Sequence, residues 1–194
     1  MNKEKVIECL TVLLQEGLCL DLTDPNLQET PNRIAKMYCN EFFCNTHSQP
    51  PDNLITVFPN SKGYNEIVML DNIPFTSICS HHFLPFSGKA YFLYLPNEYL
   101  LGASKPARVV EFFSHRPQLQ ENLSQEILDY IVSKISPKGA MLVMRAVHGC
   151  MSCRGINSGL DAGLMTSITQ GIFRSDPTME AKGFDLIKLS TLLR

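Results

Sequence analysis

The sequence predicts an α+β fold: an antiparallel four-stranded sheet with helices on one face, preceded by an N-terminal helical segment. Three observations point there. Segments near 66–75, 86–95, 140–148 and 165–173 are rich in Val, Ile, Phe, Tyr and Thr, the residues that fit a pleated, half-buried surface. Two amphipathic helical patterns fall between the second and third of these segments. Before them, apolar residues recur at helical rather than strand spacing. Two strands, two helices and two strands put the helices on one face of an antiparallel sheet.

Val6, Leu10, Leu13 and Leu14 share a helical face, so a helix is expected from about residue 3 to 16, ended near Gly17. Thr30-Pro31 reads as a helix start, a capping hydroxyl followed by proline at the first helical position. Ile34, Met37, Tyr38 and Phe42 carry that helix to about Cys44. The stretch Asn45 to Asn53, with Pro50-Pro51, reads as a loop and hinge. It divides a helical segment, 1–52, from a main domain, 53–194. A short strand is expected at 54–58. Ser104 is placed to cap a helix from Pro106 to about Ser114. Leu119, Leu123, Ile127, Ile131 and Ile135, four residues apart, predict a second helix from about Pro117 to Lys134. A last helix is expected from about Pro177. A four-stranded sheet with open edges needs neighbours, so a homo-oligomer is expected.

The bulk numbers exclude several classes. With 194 residues, 44% hydrophobic and 19% charged, the chain is an ordinary globule with room for a sizeable core. A net charge of −2 gives no general attraction to nucleic acid or to anionic membranes. No apolar run approaches the roughly 18 residues of a membrane span. The start, Met1-Asn2-Lys3-Glu4-Lys5, leads into an amphipathic stretch rather than a secretory signal. Seven cysteines without compact spacing favour reduced thiols, so a cytoplasmic protein is expected. Cys9, Cys19, Cys39 and Cys44 read as core or surface thiols.

Chemistry concentrates in two runs. Cys79, His81 and His82 fall in one, His148 and Cys150 in the other. Thiolate and imidazole are natural Zn²⁺ ligands. A Cys-x-x-His step lets Cys79 and His82 reach one ion across a tight turn, and Cys150 is a third donor from a distant strand. Three protein ligands leave a tetrahedral position open, the pattern of a catalytic zinc. His81 and His148 would then be spare imidazoles able to move protons. On an extended strand His148 and Cys150, two residues apart, would face the same way. Cys153 leaves a second arrangement open, a closed Cys₃His site without chemistry.

Several ordered motifs extend this. They are Thr30 to Tyr38 (TPNRIAKMY), Cys79-Ser80-His81-His82-Phe83, Gly88-Lys89, Tyr94-Leu95-Pro96, Ser104-Lys105, Arg108-Val109-Val110, Gln118-Leu119-Gln120-Glu121, Val147-His148-Gly149-Cys150 and Arg154-Gly155. In this order the chain resembles the GTP cyclohydrolase I family, whose fold is the tunnelling fold, from about Thr30 to Phe173. The resemblance implies conversion of GTP and water to 7,8-dihydroneopterin triphosphate and formate, the step that opens folate and other pterin biosynthesis. It implies zinc on Cys79, His82 and Cys150, with Cys153 outside the ligand set. It implies His148 and His81 as proton carriers, and Glu121 as the acceptor for guanine N1–H and its amino group. Gln120 and Ser104 match positions near the ribose. Lys105, Arg108 and Arg154 match the cations on the triphosphate, and Arg33 an arginine supplied by a neighbouring subunit. The family assembly is a toroidal decamer of two pentamers with active sites between subunits. Ser80 stands where the family usually carries Glu, removing a carboxylate from beside the ligands; Ala103 and Gly149 are smaller than usual. Two other outcomes stay open: a diverged relative that forms a different pterin, suggested by Ser80 and Ala103, or a non-catalytic zinc-stabilised binding module with Cys150 and Cys153 as ligands.

Overall fold

The computed structural model describes residues 1–159 and 161–193. The chain forms two compact units, Met1–Ser48 and Gln49–Arg194. In the first, helix α1 (Lys3–Val12) is capped by the Asn2 side chain, which accepts from the Lys5 N–H, and runs into a π-helical turn at Leu13–Gly17. Helix α2 (Thr30–Met37) likewise ends in a π turn, Tyr38–Phe42. It starts one residue earlier than Thr30-Pro31 suggests: Thr30 is itself helical, and Glu29 is the cap but makes no side-chain capping bond.

The second unit holds a small and a large sheet. In the small one β1 (Val57–Pro59) pairs antiparallel with β4 (Tyr99–Leu101). The 54–58 segment thus lies outside the main sheet, because a 3₁₀ turn at Asp52–Leu54 precedes it and its partner is the later β4. The large sheet runs β5-β2-β3-β6-β7. Its long strands are β2 (Val68–Cys79), β3 (Pro85–Leu95), β6 (Gly139–His148) and β7 (Leu164–Gly171), all antiparallel. The expected four strands are therefore present. A fifth, β5 (Pro117–Gln118), adds two parallel pairings, Ile78 with Pro117 and Cys79 with Gln118. At Gly88 a Cβ would lie 1.8 Å from the Arg145 carbonyl, so β3 and β6 approach there more closely than any side chain allows.

Helices α3 (Lys105–Ser114) and α4 (Gln120–Ile135) cover one face, packing Val109, Val110, Leu123, Ile127 and Ile131 onto Phe92, Tyr94, Leu142 and Met144. The expectation of helices on that face alone needs correction. The intervening strand residues Leu93, Leu95, Met141 and Val143 point the other way. They are covered by α6 (Ile172–Ser175), through Phe173, and by α7 (Pro177–Leu192), through Met179, Leu186 and Ile187. A helix at the end was expected, but the chain alone did not say which face it would take. Helix α4 also begins three residues later than Pro117, because Pro117-Gln118 is held in β5 and Leu119 is the extended cap. Ser104 does not cap α3 through its hydroxyl: its backbone is already helical and its side chain makes no capping bond.

Candidate active site

Strand β2 ends at Cys79 and the chain reverses through Ser80 to Leu84 into β3. The turn is closed at both ends: the Cys79 N–H donates to the Leu84 carbonyl at 2.9 Å, and the Phe83 N–H to the Cys79 carbonyl at 2.9 Å. Phe83 adopts φ +52°, a region L-residues rarely enter, to complete this tight return. The Ser80 N–H donates to the Gln118 carbonyl at 3.2 Å, which ties the turn to β5. Cys79 is buried and His82 exposed.

The third donor arrives differently from the expected strand. β6 stops at His148, and Gly149–Ser152 forms one helical turn, α5. Cys150 and His148 therefore do not share a strand face, and that argument for their proximity fails. The turn instead brings Cys150 to the β2 end. The ligand atoms of Cys79, His82 and Cys150 all lie within 4.8 Å of one another. Among the described residues Cys153 is not in this group; its Sγ donates to the Gly149 carbonyl at 2.7 Å. Burial pushes the Cys150 thiol above its ordinary pKa, and the Cys79 sulfur raises it further, while Arg154 opposes the shift. The donor set is compatible with a metal ion.

His148 stands beside the group but in other surroundings. It is 9% exposed, stacked on Phe86 with ring centroids 4.5 Å apart and planes 4° from parallel. Its Nε2 is 2.9 Å from Gln120 Oε1. Burial holds its pKa below the usual imidazole value, and the charge of Glu121 works against that. His81 is exposed, edge-on to His82 at 6.2 Å between centroids.

Of the residues matched to substrate, Glu121 is exposed in the first turn of α4 and close enough to act on His148 by its charge. Gln120, matched to the ribose, is buried at 1% exposure with both ends of its amide committed inside the protein. Ser104, Lys105 and Arg108 cluster at the start of α3, where Lys105 and Arg108, three apart, share a helix face. Lys105 Nζ donates to the Asn53 carbonyl at 3.2 Å. Arg154 is exposed after α5. Among the described residues, neither Arg108 nor Arg154 has an ion pair, and no hydrogen bond or ion pair joins the α3 cations to the Cys79 group. Arg33 belongs to the first unit, on α2.

Sequence reasoning missed the packing around His148. Phe86, Ser124 and Thr166 surround it or its partner. One signal was available: Ser124 is a polar residue four after Gln120, amid Leu123, Ile127 and Leu128 on the apolar face of its helix.

The profile of GTP cyclohydrolase I matches residues 7–188. "GTP cyclohydrolase 1" of Clostridioides difficile (strain 630) is 38% identical over 190 residues, covering 97% of this chain and 98% of its own. The protein of that name from Thermoanaerobacter pseudethanolicus is 40% identical, covering 96% and 97%. That from Rhodopirellula baltica is 42% identical, covering 93% and 77%. Among solved structures, the apo form of the archaeosine synthase QueF-Like aligns with TM-score 0.45 and 16% identity over 54% of this chain.

Proposed function

The chain belongs to the GTP cyclohydrolase I family, and on that premise we propose that it hydrolyses the guanine imidazole ring of GTP, using Zn²⁺ held by Cys79, His82 and Cys150, to give 7,8-dihydroneopterin triphosphate and formate. This is a first step of folate and pterin biosynthesis, and the expected compartment is the cytoplasm. The observation that carries the zinc reading is the convergence of two thiols and one imidazole from β2, the following turn and α5. Bound there, the ion supplies Lewis acidity that brings the pKa of a water molecule toward about 7.

The chain's own residues do the rest. His148 gives a proton to the ring nitrogen as its bond to carbon 8 breaks, and His81 is the second imidazole in reach of the turn. Burial suits His148 to this task, because a depressed pKa makes the imidazolium a readier acid. Glu121 accepts from guanine N1–H and the amino group, a donor pair that adenine lacks. Ser104 lies toward the ribose, and Lys105, Arg108 and Arg154 neutralise the triphosphate. Arg33 is supplied by a neighbouring subunit of a homo-oligomer, a decamer by family resemblance, with sites between subunits. Among the described residues, β7 pairs only with β6, and β2 pairs with β5 only at its last two residues, so the sheet offers long edges to neighbours. No helix is long and apolar enough to cross a membrane among the described residues.

The test is incubation of purified protein with GTP. Formate and, after oxidation, a fluorescent pterin should appear, with about one Zn²⁺ per chain. Zinc-loaded protein that leaves GTP intact would refute the activity; full turnover in protein carrying no metal would refute the zinc assignment alone.

A further inference from the structure

Gln120 has a defined orientation that follows from chemistry. Its Nε2 lies 3.1 Å from the Met144 carbonyl, 3.2 Å from the Leu164 carbonyl and 3.2 Å from Thr166 Oγ1. Carbonyl oxygens only accept, so the amide –NH₂ must face them. The opposite end, Oε1, therefore faces His148 Nε2 at 2.9 Å. An amide oxygen also only accepts, so Nε2 must carry a hydrogen.

Two hydroxyls close the arrangement. Ser124 Oγ donates to the Gln120 main-chain carbonyl at 2.8 Å, and Ser124 Oγ and Thr166 Oγ1 are 2.7 Å apart. The amide carries two hydrogens for three acceptors, and Ser124 Oγ also lies 3.3 Å from Met144 Sδ; one circuit that gives each hydroxyl a role runs from the Gln120 amide to Thr166, from Thr166 to Ser124, and from Ser124 back to the Gln120 main-chain carbonyl. Gln120 and Ser124 are 1% and 2% exposed, so no bulk water competes for these groups. Phe86, fully buried, holds the imidazole plane by stacking. A ring flip would present a carbon to Oε1 and leave that oxygen without its donor. Among the described residues Nδ1 makes no hydrogen bond, and it is not among the polar atoms sealed from solvent.

We propose that Gln120, clamped by Thr166 and Ser124, is a positioning residue that fixes His148 in its Nε2–H tautomer, so that Nδ1 is the atom that takes up a proton from the attacking water, forming the imidazolium, and then passes that same proton to the ring nitrogen as its bond to carbon 8 breaks, which returns His148 to the Nε2–H form. This rests on the proton-transfer role of His148 given above. It moves Gln120 from the ribose to the interior, as the part that decides which nitrogen is available.

The experiment uses the full chain loaded with zinc and labelled with ¹⁵N-histidine. The His148 signals are identified by their absence in His148→Asn. The expected spectrum shows one protonated nitrogen, Nε2, and one unprotonated nitrogen, Nδ1. A hydrogen on Nδ1 instead would overturn the inference without any further variant. In Gln120→Leu the two tautomers should mix, and kcat for GTP should fall by about 10- to 100-fold while KM changes by less than about threefold, the split expected when a transition-state interaction is lost. A raised KM with unchanged kcat and an unchanged His148 spectrum would make Gln120 a ribose contact and sink the proposal. Where Gln120→Leu fails to fold, Thr166→Val should shift the His148 signals in the same direction and Thr166→Ser should restore them; identical spectra in all three would refute the clamp. His148→Asn with full activity would remove the acid role itself, an outcome separate from the tautomer, which the spectrum of the parent still reads.

Discussion

The proposed metal half and the proposed acid half of the site are built on different principles. Cys79, His82 and Cys150 sit at the end of a strand, in a five-residue reversal and on a single helical turn, and they range from buried to exposed. His148 sits at the end of a ten-residue strand, sealed by Phe86 and gripped by Gln120. Turn-borne ligands are held by a few backbone bonds and are free to adjust to an ion. A stacked, hydrogen-bonded ring in a close-packed interior has one arrangement. The metal half should thus depend on its cation for order, and the acid half should be ready without it.

The largest effect should come from the metal half. Cys150→Ala removes one of three donors, so zinc should be lost and formate release should fall further than the about 10–100-fold that an outer partner costs. Retained zinc and retained turnover would mean that another group ligates. The acid half should behave differently: His148→Ala should lower kcat by about 10²–10⁴ while zinc content and GTP affinity stay near those of the parent. If zinc is lost as well, the two halves are one structural unit and the contrast fails. Glu121→Gln, next to Gln120 on α4, should cost about 1–3 kcal/mol, roughly ten- to hundredfold in kcat/KM, because a neutral amide leaves one guanine donor unpaired; unchanged kinetics would make Glu121 a solvated surface residue.

A smaller effect tests whether the acid half is preformed. Burial depresses the His148 pKa, so the unfolded chain takes up the proton first as pH falls. The stabilisation is complete above the ordinary imidazole value of about 6.5 and is lost as pH drops toward the folded value, with a slope of at most about 1.4 kcal/mol per pH unit for one group. In metal-free protein, chemical denaturation between pH 7.5 and 5 should show a flatter decline for His148→Asn than for the parent. Parallel declines would show that the ring is solvated when the ion is absent. The smallest effect is expected at Cys153, whose thiol bonds to Gly149 rather than joining the ligands. Cys153→Ala should keep about one zinc per chain, and loss of the metal would favour the closed site.

What was legible in the chain follows the same division. Cys79 and His82 are three residues apart, and local spacing announces a shared turn. The strands at 86–95 and 140–148 lie within one residue of their observed limits, because β-branched and aromatic runs bounded by Pro and Gly carry their own punctuation. The partnership of His148 with Gln120 spans 28 residues, and that with Phe86 needs the β3–β6 register. Nothing in the composition of either segment announces such pairings, which arise when the sheet forms. β5 was hidden for a related reason: Pro117-Gln118 precedes an apolar helical pattern and borrows its periodicity, while the pairing with Cys79 that makes it a strand is non-local. The covering of the second face depended on Phe173 and Gly183 meeting Met141, where a Cβ on Gly183 would lie 2.7 Å from the Met141 sulfur.

The two pairings of β5 have a consequence for how this protein tolerates changes in chain length. Gln118 is registered against Cys79, the proposed metal donor, and two residues later Gln120 grips His148, the proposed proton carrier. One short segment therefore acts as a ruler between the two chemistries. Because Leu119 alone, the extended cap of α4, joins β5 to Gln120, deleting or inserting one residue between 118 and 120 would break either the pairing of Gln118 with Cys79 or the reach of Gln120 to His148, whatever residue type was used. Substitutions here can be conservative, but a length change cannot. A library of single-residue insertions should find this segment closed, while the exposed turn near Gly63, where a Cβ meets nothing within 4 Å, stays open to added chain.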